Sequence, residues 1–231
     1  MGTCEMINHP EILKKAIEEL DRVFGKEMLV QESDFYQLNY IKACAREAFI
    51  LHPIAAFNVL HVSMSDTKVA NCFIAKGRHD LLSRFGLRRD PKVWPNEPFK
   101  FKPERHLKED GSEVVNDLRC ISFGTGRRGC LGVTLETSMI VMLFARVLQA
   151  FTWTAPQSET KIDLSEAEDS LALAKPLIAV AKPRYTKVFR LSLCIGVRNL
   201  LRMAWRKWGL EGVVTDLNGE TFEAGAWVVC C

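Results

Sequence analysis

Four glycines, two arginines and a cysteine share the ten residues Phe123-Gly124-Thr125-Gly126-Arg127-Arg128-Gly129-Cys130-Leu131-Gly132. Directly after them the chain turns apolar from Leu131 to Gln149, which predicts a helix buried on most of its circumference. Glycine reaches backbone conformations closed to other residues, so this loop can fold tightly around whatever it holds. The segment Cys120-Ile121-Ser122-Phe123 ahead of it reads as strand-like. Any fold for this chain must therefore set a close-fitting loop at the entrance of a core helix.

Two chemistries suit such a loop. Gly124-x-Gly126-x-x-Gly129 satisfies a dinucleotide fingerprint, which makes a nucleotide-binding domain the minor alternative. That fingerprint wants an acidic residue about 20 positions on. Here the next acid after Glu136 is Glu159, and no alternation of strands and helices builds a parallel sheet. The other chemistry centres on Cys130. Unpaired N–H groups and the dipole at a helix mouth favour an anion, and Arg127 and Arg128 add positive charge. A thiolate beside arginines suits the axial ligand of haem iron, with an arginine pairing a propionate. A buried cysteine in a tight turn is the plain structural alternative.

Composition narrows the partners. The 231 residues carry 31 Lys+Arg against 28 Asp+Glu, a net charge of +3, which excludes nucleic-acid binding driven by a basic field. A hydrophobic fraction of 48% excludes disorder over most of the chain. The longest apolar run, Met139 to Ala145, falls short of the roughly 20 residues a membrane span needs. No signal peptide is visible, so the expected compartment is reducing. The eight cysteines are scattered, contain no Cys-x-x-Cys pair and do not stand at zinc-ligand spacing from any histidine. Most of them read as small buried hydrophobes, with Cys130 in a different setting.

Periodicity predicts helices over residues 10–24, 37–50 and 131–149. Strands are predicted at 67–73 and 78–85, with short ones near Thr152 and over Leu177–Ala181, and residues 90–112 read as an ordered meander. The fold class is mainly α with small β-sheets (α+β). A boundary near residue 187 separates residues 1–187 from a tail, 188–231. The tail carries a basic amphipathic stretch, Val197 to Leu210, of the kind that meets an anionic membrane surface or a helix-binding partner.

The ten-residue loop resembles the haem-binding signature of the cytochrome P450 family, Phe-x-x-Gly-x-Arg-x-Cys-x-Gly, with every fixed position met. Pro103-Glu104-Arg105-His106 resembles the family's Pro-Glu-Arg box, and Glu47 stands where the family carries Glu-x-x-Arg. More narrowly, Phe57 to Ser63 and Ser122 to Cys130 are similar to the plant branch that N-hydroxylates amino acids to aldoximes, early in glucosinolate or cyanogenic glucoside synthesis. The resemblance spans about Asn8 to Lys187 and implies the C-terminal, proximal part of the P450 fold.

What the resemblance implies for the residues is specific. Cys130 would ligate the iron of haem b (iron protoporphyrin IX), and Arg128 and His61 would contact its propionates. Phe123 would pack near the sulfur, and Gly126 and Gly132 would keep the loop close. Glu47 and Arg105 would join a buried ion-pair network. The implied function is a haem monooxygenase acting on an amino acid with O₂ and electrons from an NADPH-dependent reductase. The implied place is the cytosolic face of the endoplasmic reticulum membrane. The family's membrane anchor and oxygen-handling helix are expected outside these residues, so no catalytic residue is assigned. The cytosol is thus the second expected location, and a non-catalytic fragment or interaction module the second function. Three departures stand out: Ile50 replaces the second motif residue Arg, Leu60 a proline, and Asp80 an apolar strand residue. Loss of the arginine at 50 is expected to weaken the network.

Overall fold

The amphipathic period between residues 10 and 24 forms helix α2, Pro10–Phe24, preceded by a short helix α1, Gly2–Asn8. Proline at the first helical position of α2 loses nothing, because its missing N–H would have had no intrahelical partner. Ile12, Leu13, Ala16, Leu20 and Phe24 turn inward, while Glu11, Lys14, Lys15 and Glu18 face out. Helix α1 carries no sequence signal, because its seven residues are too short for a period and are mostly buried. In this computed structural model the described residues are 1–184 except 26–27, 96, 115–116, 118, 157–158, 169–170 and 172, with the backbone of 212–215 and 221–222 beyond them.

Helix α3, Asn39–Leu51, starts where the Glu19 carboxylate of α2 accepts from the N–H groups of Tyr40 and Ile41 at 2.9 and 3.0 Å. The acid thus supplies the cap that the sequence around Leu38 lacks. Burial raises the Glu19 carboxyl, against the pull of those two N–H groups. Met6, Leu20, Ile41, Phe101, Phe144 and Leu148 meet in one core beneath α1, α2 and α3. Full burial of each such side chain is worth about 1.5–3 kcal/mol.

The last helix differs in one respect from its sequence reading. Helices α4, Arg84–Arg89, and α5, Val133–Ala150, complete the helical set, and α5 buries its side chains only from Val141 onward. Its first two turns leave Val133 and Leu135 exposed, beside the glycine-rich loop. By length and composition α5 could cross a membrane, yet Val141, Phe144, Ala145 and Leu148 belong to the core.

The strands lie in three small sheets. β1, His61–Val62, pairs antiparallel with β4, His79–Asp80, while β2, Thr67–Val69, pairs with β3, Cys72–Ile74. β5, Phe151–Thr154, runs antiparallel to β6, Leu177–Pro183. On the other edge of β6 lie β7, Gly212–Thr215, parallel, and then β8, Thr221–Phe222. Two sequence expectations are corrected here. Residues 67–73 do not form one strand but turn at Ala70, whose φ of 51° suits a tight hairpin turn. The strand expected through Phe85 ends at Asp80, because the Ser83 hydroxyl accepts from Gly86 N–H at 3.0 Å and starts α4. Asp80 faces solvent opposite His61, so its carboxylate needs no apolar pocket. The basic stretch Val197–Leu210 lies outside the described residues.

Candidate functional site

The glycine-rich loop is closed by its own backbone. Gly124 N–H donates to Ile121 O at 2.9 Å, Cys130 N–H to Phe123 O at 2.9 Å and Gly129 N–H to Gly126 O at 3.1 Å, around a 3₁₀ turn at Gly126–Arg128. Gly124 and Gly126 take φ of 73° and 65°, which a side chain would strain. Gly132 is the N-cap of α5, and a Cβ there would stand 3.7 Å from Cys130 Sγ. A Cβ there would only touch the sulfur at ordinary van der Waals distance. Cys130 itself is exposed, flanked by Leu131 at 102% exposure and Leu135 at 66%.

Two sequence expectations shift here. The helix begins at Val133, so the sulfur precedes the first helical residue by three positions and is not in its first turn. Residues 119–123, directly ahead of the loop, form no strand; Ser122 and Phe123 form a turn instead. The nucleotide reading loses its strand.

Helix α3 anchors the loop. Phe123 packs edge-on against Phe49, with ring centroids 5.1 Å apart, and Ser122 Oγ donates to Phe49 O at 3.2 Å. Two positions back, Glu47 turns to the other side and is almost fully buried. Its Oε1 accepts from Lys102 N–H at 3.1 Å and lies 3.4 Å from Arg105 Nε; its Oε2 lies 2.6 Å from His106 Nε2. Arg105 also donates to the carbonyls of Glu97 and Lys100 at 3.1 and 3.0 Å, knitting the meander beneath α3. Glu47 and Arg105 are thus brought together.

The expectation of a network short of one cation changes in its detail. His106 holds the carboxylate oxygen that Arg105 leaves free, a role the sequence signalled only as a basic residue next to Arg105. Ile50 is 6% exposed and borders a cavity of about 20 Å³, lined also by Arg84, Arg88 and Arg119. His61 and Arg128 are exposed, His61 on β1 and Arg128 in the loop. Among the described residues no side-chain hydrogen bond or ion pair joins either of them to the rest of the set.

An exposed soft sulfur donor, uncrowded at Gly132 and bordered by apolar leucines, fits the iron of a flat, largely apolar macrocycle. Comparison with known proteins bears on the same point. A family model described as Cytochrome P450 matches residues 1–181. A phenylalanine N-monooxygenase of Prunus mume is 64% identical over 184 residues, covering 78% of this chain and 34% of that protein. Valine N-monooxygenase 2 of Manihot esculenta is 58% identical over 183 residues, covering 78% and 33%. Tryptophan N-monooxygenase 1 of Arabidopsis thaliana is 58% identical over 184 residues, with 78% and 34% covered. The chain spans about a third of the length of these curated relatives. Among solved structures, a zebra fish cytochrome P450 with abiraterone superposes with a TM-score of 0.68 at 26% identity, covering 80% of this chain and 43% of that one.

Proposed function

The chain belongs to the cytochrome P450 family, and we propose that it is the haem-ligating part of an enzyme that N-hydroxylates an amino acid on the way to an aldoxime. The observation that carries this reading is the loop: every fixed position of the haem signature is met, and Cys130 is left exposed by a backbone closed around it. The similarity to N-monooxygenases narrows the class, since relatives named for phenylalanine, valine and tryptophan share it. Bound haem b would supply O₂ activation, with electrons from an NADPH-dependent reductase at the cytosolic face of the endoplasmic reticulum.

The chain's own residues do the holding. Cys130 Sγ would be the axial ligand, with Gly132 next to the sulfur and Gly126 closing the loop through its positive φ. Phe123, pinned on Phe49, would cover one flank of the sulfur and exclude water. Arg128 and His61, both exposed, would pair with the propionates as charge-assisted donors. Glu47, Arg105 and His106 position the meander, and no substrate contact is assigned to them. Val59, Leu60, Val62, Leu81 and Leu82 form an exposed apolar surface around the β1–β4 pair, and exposure on that scale calls for a partner. We assign it to the macrocycle and to the further two-thirds found in the longer relatives.

A chimaera tests the reading. This chain replaces the matching third of the Prunus mume relative, and the product is assayed with reductase for aldoxime from phenylalanine, valine and tryptophan. Aldoxime formation that Cys130→Ala abolishes is the expected result. A chimaera that binds haem through a thiolate yet oxidises none of the three would refute the substrate class.

A further inference from the structure

His106 is fully buried at the end of the 3₁₀ turn Pro103–His106, its ring edge-on to Trp94 at 6.0 Å. The Glu47 carboxylate, 2.6 Å from Nε2, can only accept when ionised, so in the neutral ring the proton sits on Nε2 and the lone pair on Nδ1. That lone pair faces Cys120 Sγ, 3.9 Å away. Asp117 brings its carboxylate to the same spot, and one ligand atom from each of His106, Asp117 and Cys120 lies within 4.8 Å of the other two. Spacing along the chain gave no hint of this, because the meander has to fold back before His106 meets the other two.

We propose that His106 Nδ1, Cys120 Sγ and the Asp117 carboxylate form a site for a zinc-class divalent ion, separate from the haem ligand Cys130. Soft sulfur, imidazole and carboxylate are the donors that such ions take. Tetrahedral zinc with bonds of about 2.0–2.3 Å sets its donors about 3.3–3.8 Å apart. Side-chain shifts of about 1 Å would close this cluster to that size. The thiol proton leaves to solvent as the sulfur–metal bond forms, and one thiolate with one carboxylate balances the double positive charge. Water completes the fourth position.

The surroundings favour the assignment. Glu47 on the far nitrogen of His106 reproduces the carboxylate–histidine–metal arrangement that fixes the tautomer and strengthens the donor. Arg119 holds Asp117 through its backbone N–H, Nε and Nη2 at 2.7–3.0 Å; with Nε shared between the two oxygens, these three donors leave one of the carboxylate's about four lone-pair sites for the ion. The nearby guanidinium lowers affinity, so the site loads and unloads with metal supply. Because His106 also pins Glu47, an ion here would stiffen the meander beneath α3, the helix that anchors the glycine-rich loop.

Cobalt(II) titrated into the full reduced chain provides the test. The expected result is a sulfur-to-cobalt charge-transfer band that saturates at one ion per chain and is displaced by zinc. Cys120→Ser should remove the band, whereas Cys130→Ser, Cys72→Ser and serine at Cys194, Cys230 and Cys231 should leave it unchanged. Should Cys120→Ser fail to fold, Asp117→Asn carries the test, with affinity at least tenfold weaker. A chain without the band, a band that survives Cys120→Ser, or affinity unchanged in Asp117→Asn would overturn the site and leave the His106–Cys120 approach an ordinary hydrogen bond.

Discussion

Glu47→Gln preserves the shape of the side chain and removes its charge, which makes it a clean probe of the link between α3 and the meander. The wild-type carboxylate is almost wholly buried and faces three donors: Lys102 N–H, Arg105 Nε and His106 Nε2. Glutamine offers one acceptor oxygen and points an NH₂ at the remaining donors, so at least one buried donor loses its partner. Breaking a buried charged group from one side typically costs about 3–5 kcal/mol. At about 2–4 °C per kcal/mol for a chain of this size, the melting temperature should fall by about 6–20 °C. Thermal and urea unfolding followed by far-ultraviolet circular dichroism read the loss directly. Glu18→Gln is the control, because its pair with Lys14 is largely exposed and worth at most about 1 kcal/mol. If both variants melt alike, the Glu47 network does not hold the meander.

Gly2→Ala should destabilise by about 1–3 kcal/mol, because the new Cβ would meet Phe144 Cζ at 2.5 Å and Ala48 Cβ at 2.8 Å; an unchanged urea midpoint would contradict that packing. Ile50→Arg should lower the melting temperature, since it forces a cation into a cavity of about 20 Å³ that already borders Arg84, Arg88 and Arg119. A rise would show that Glu47 still needs an arginine at that position. Asp163 is held down to about 2, first by the Ser165 backbone N–H and then by Lys175. Its folded value lies below its ordinary 3.8, so its stabilisation is present above about pH 4 and lost as pH falls through about 2. Asp163→Asn should therefore melt below wild type at pH 6 and level with it near pH 1, and a gap that persists there would refute the assignment.

How much the sequence revealed follows from the range of each interaction. Helix α2 was legible end to end because an apolar stripe, Pro10 at its start and Gly25 at its stop are all local signals. The loop was legible because ten consecutive residues carry it. Helix α1 was not, since it has no polar face to give a period. The hairpin at Ala70 reads as straight strand in the sequence because an alanine at positive φ leaves no residue-type signature. The partnership of His106 with Glu47 spans 59 positions, and local spacing does not report contacts of that reach. The same holds for Glu19, which caps α3 from a different helix.

The identity of the iron ligand decides the account, and the spectrum of the carbon-monoxide complex reads it most directly. The full chain is loaded with haem, reduced and exposed to carbon monoxide. Cys130 as the axial ligand predicts the red-shifted Soret band of thiolate ligation, lost in Cys130→Ala and retained in Cys120→Ser. A thiolate band that persists in Cys130→Ala would contradict the assignment of the loop.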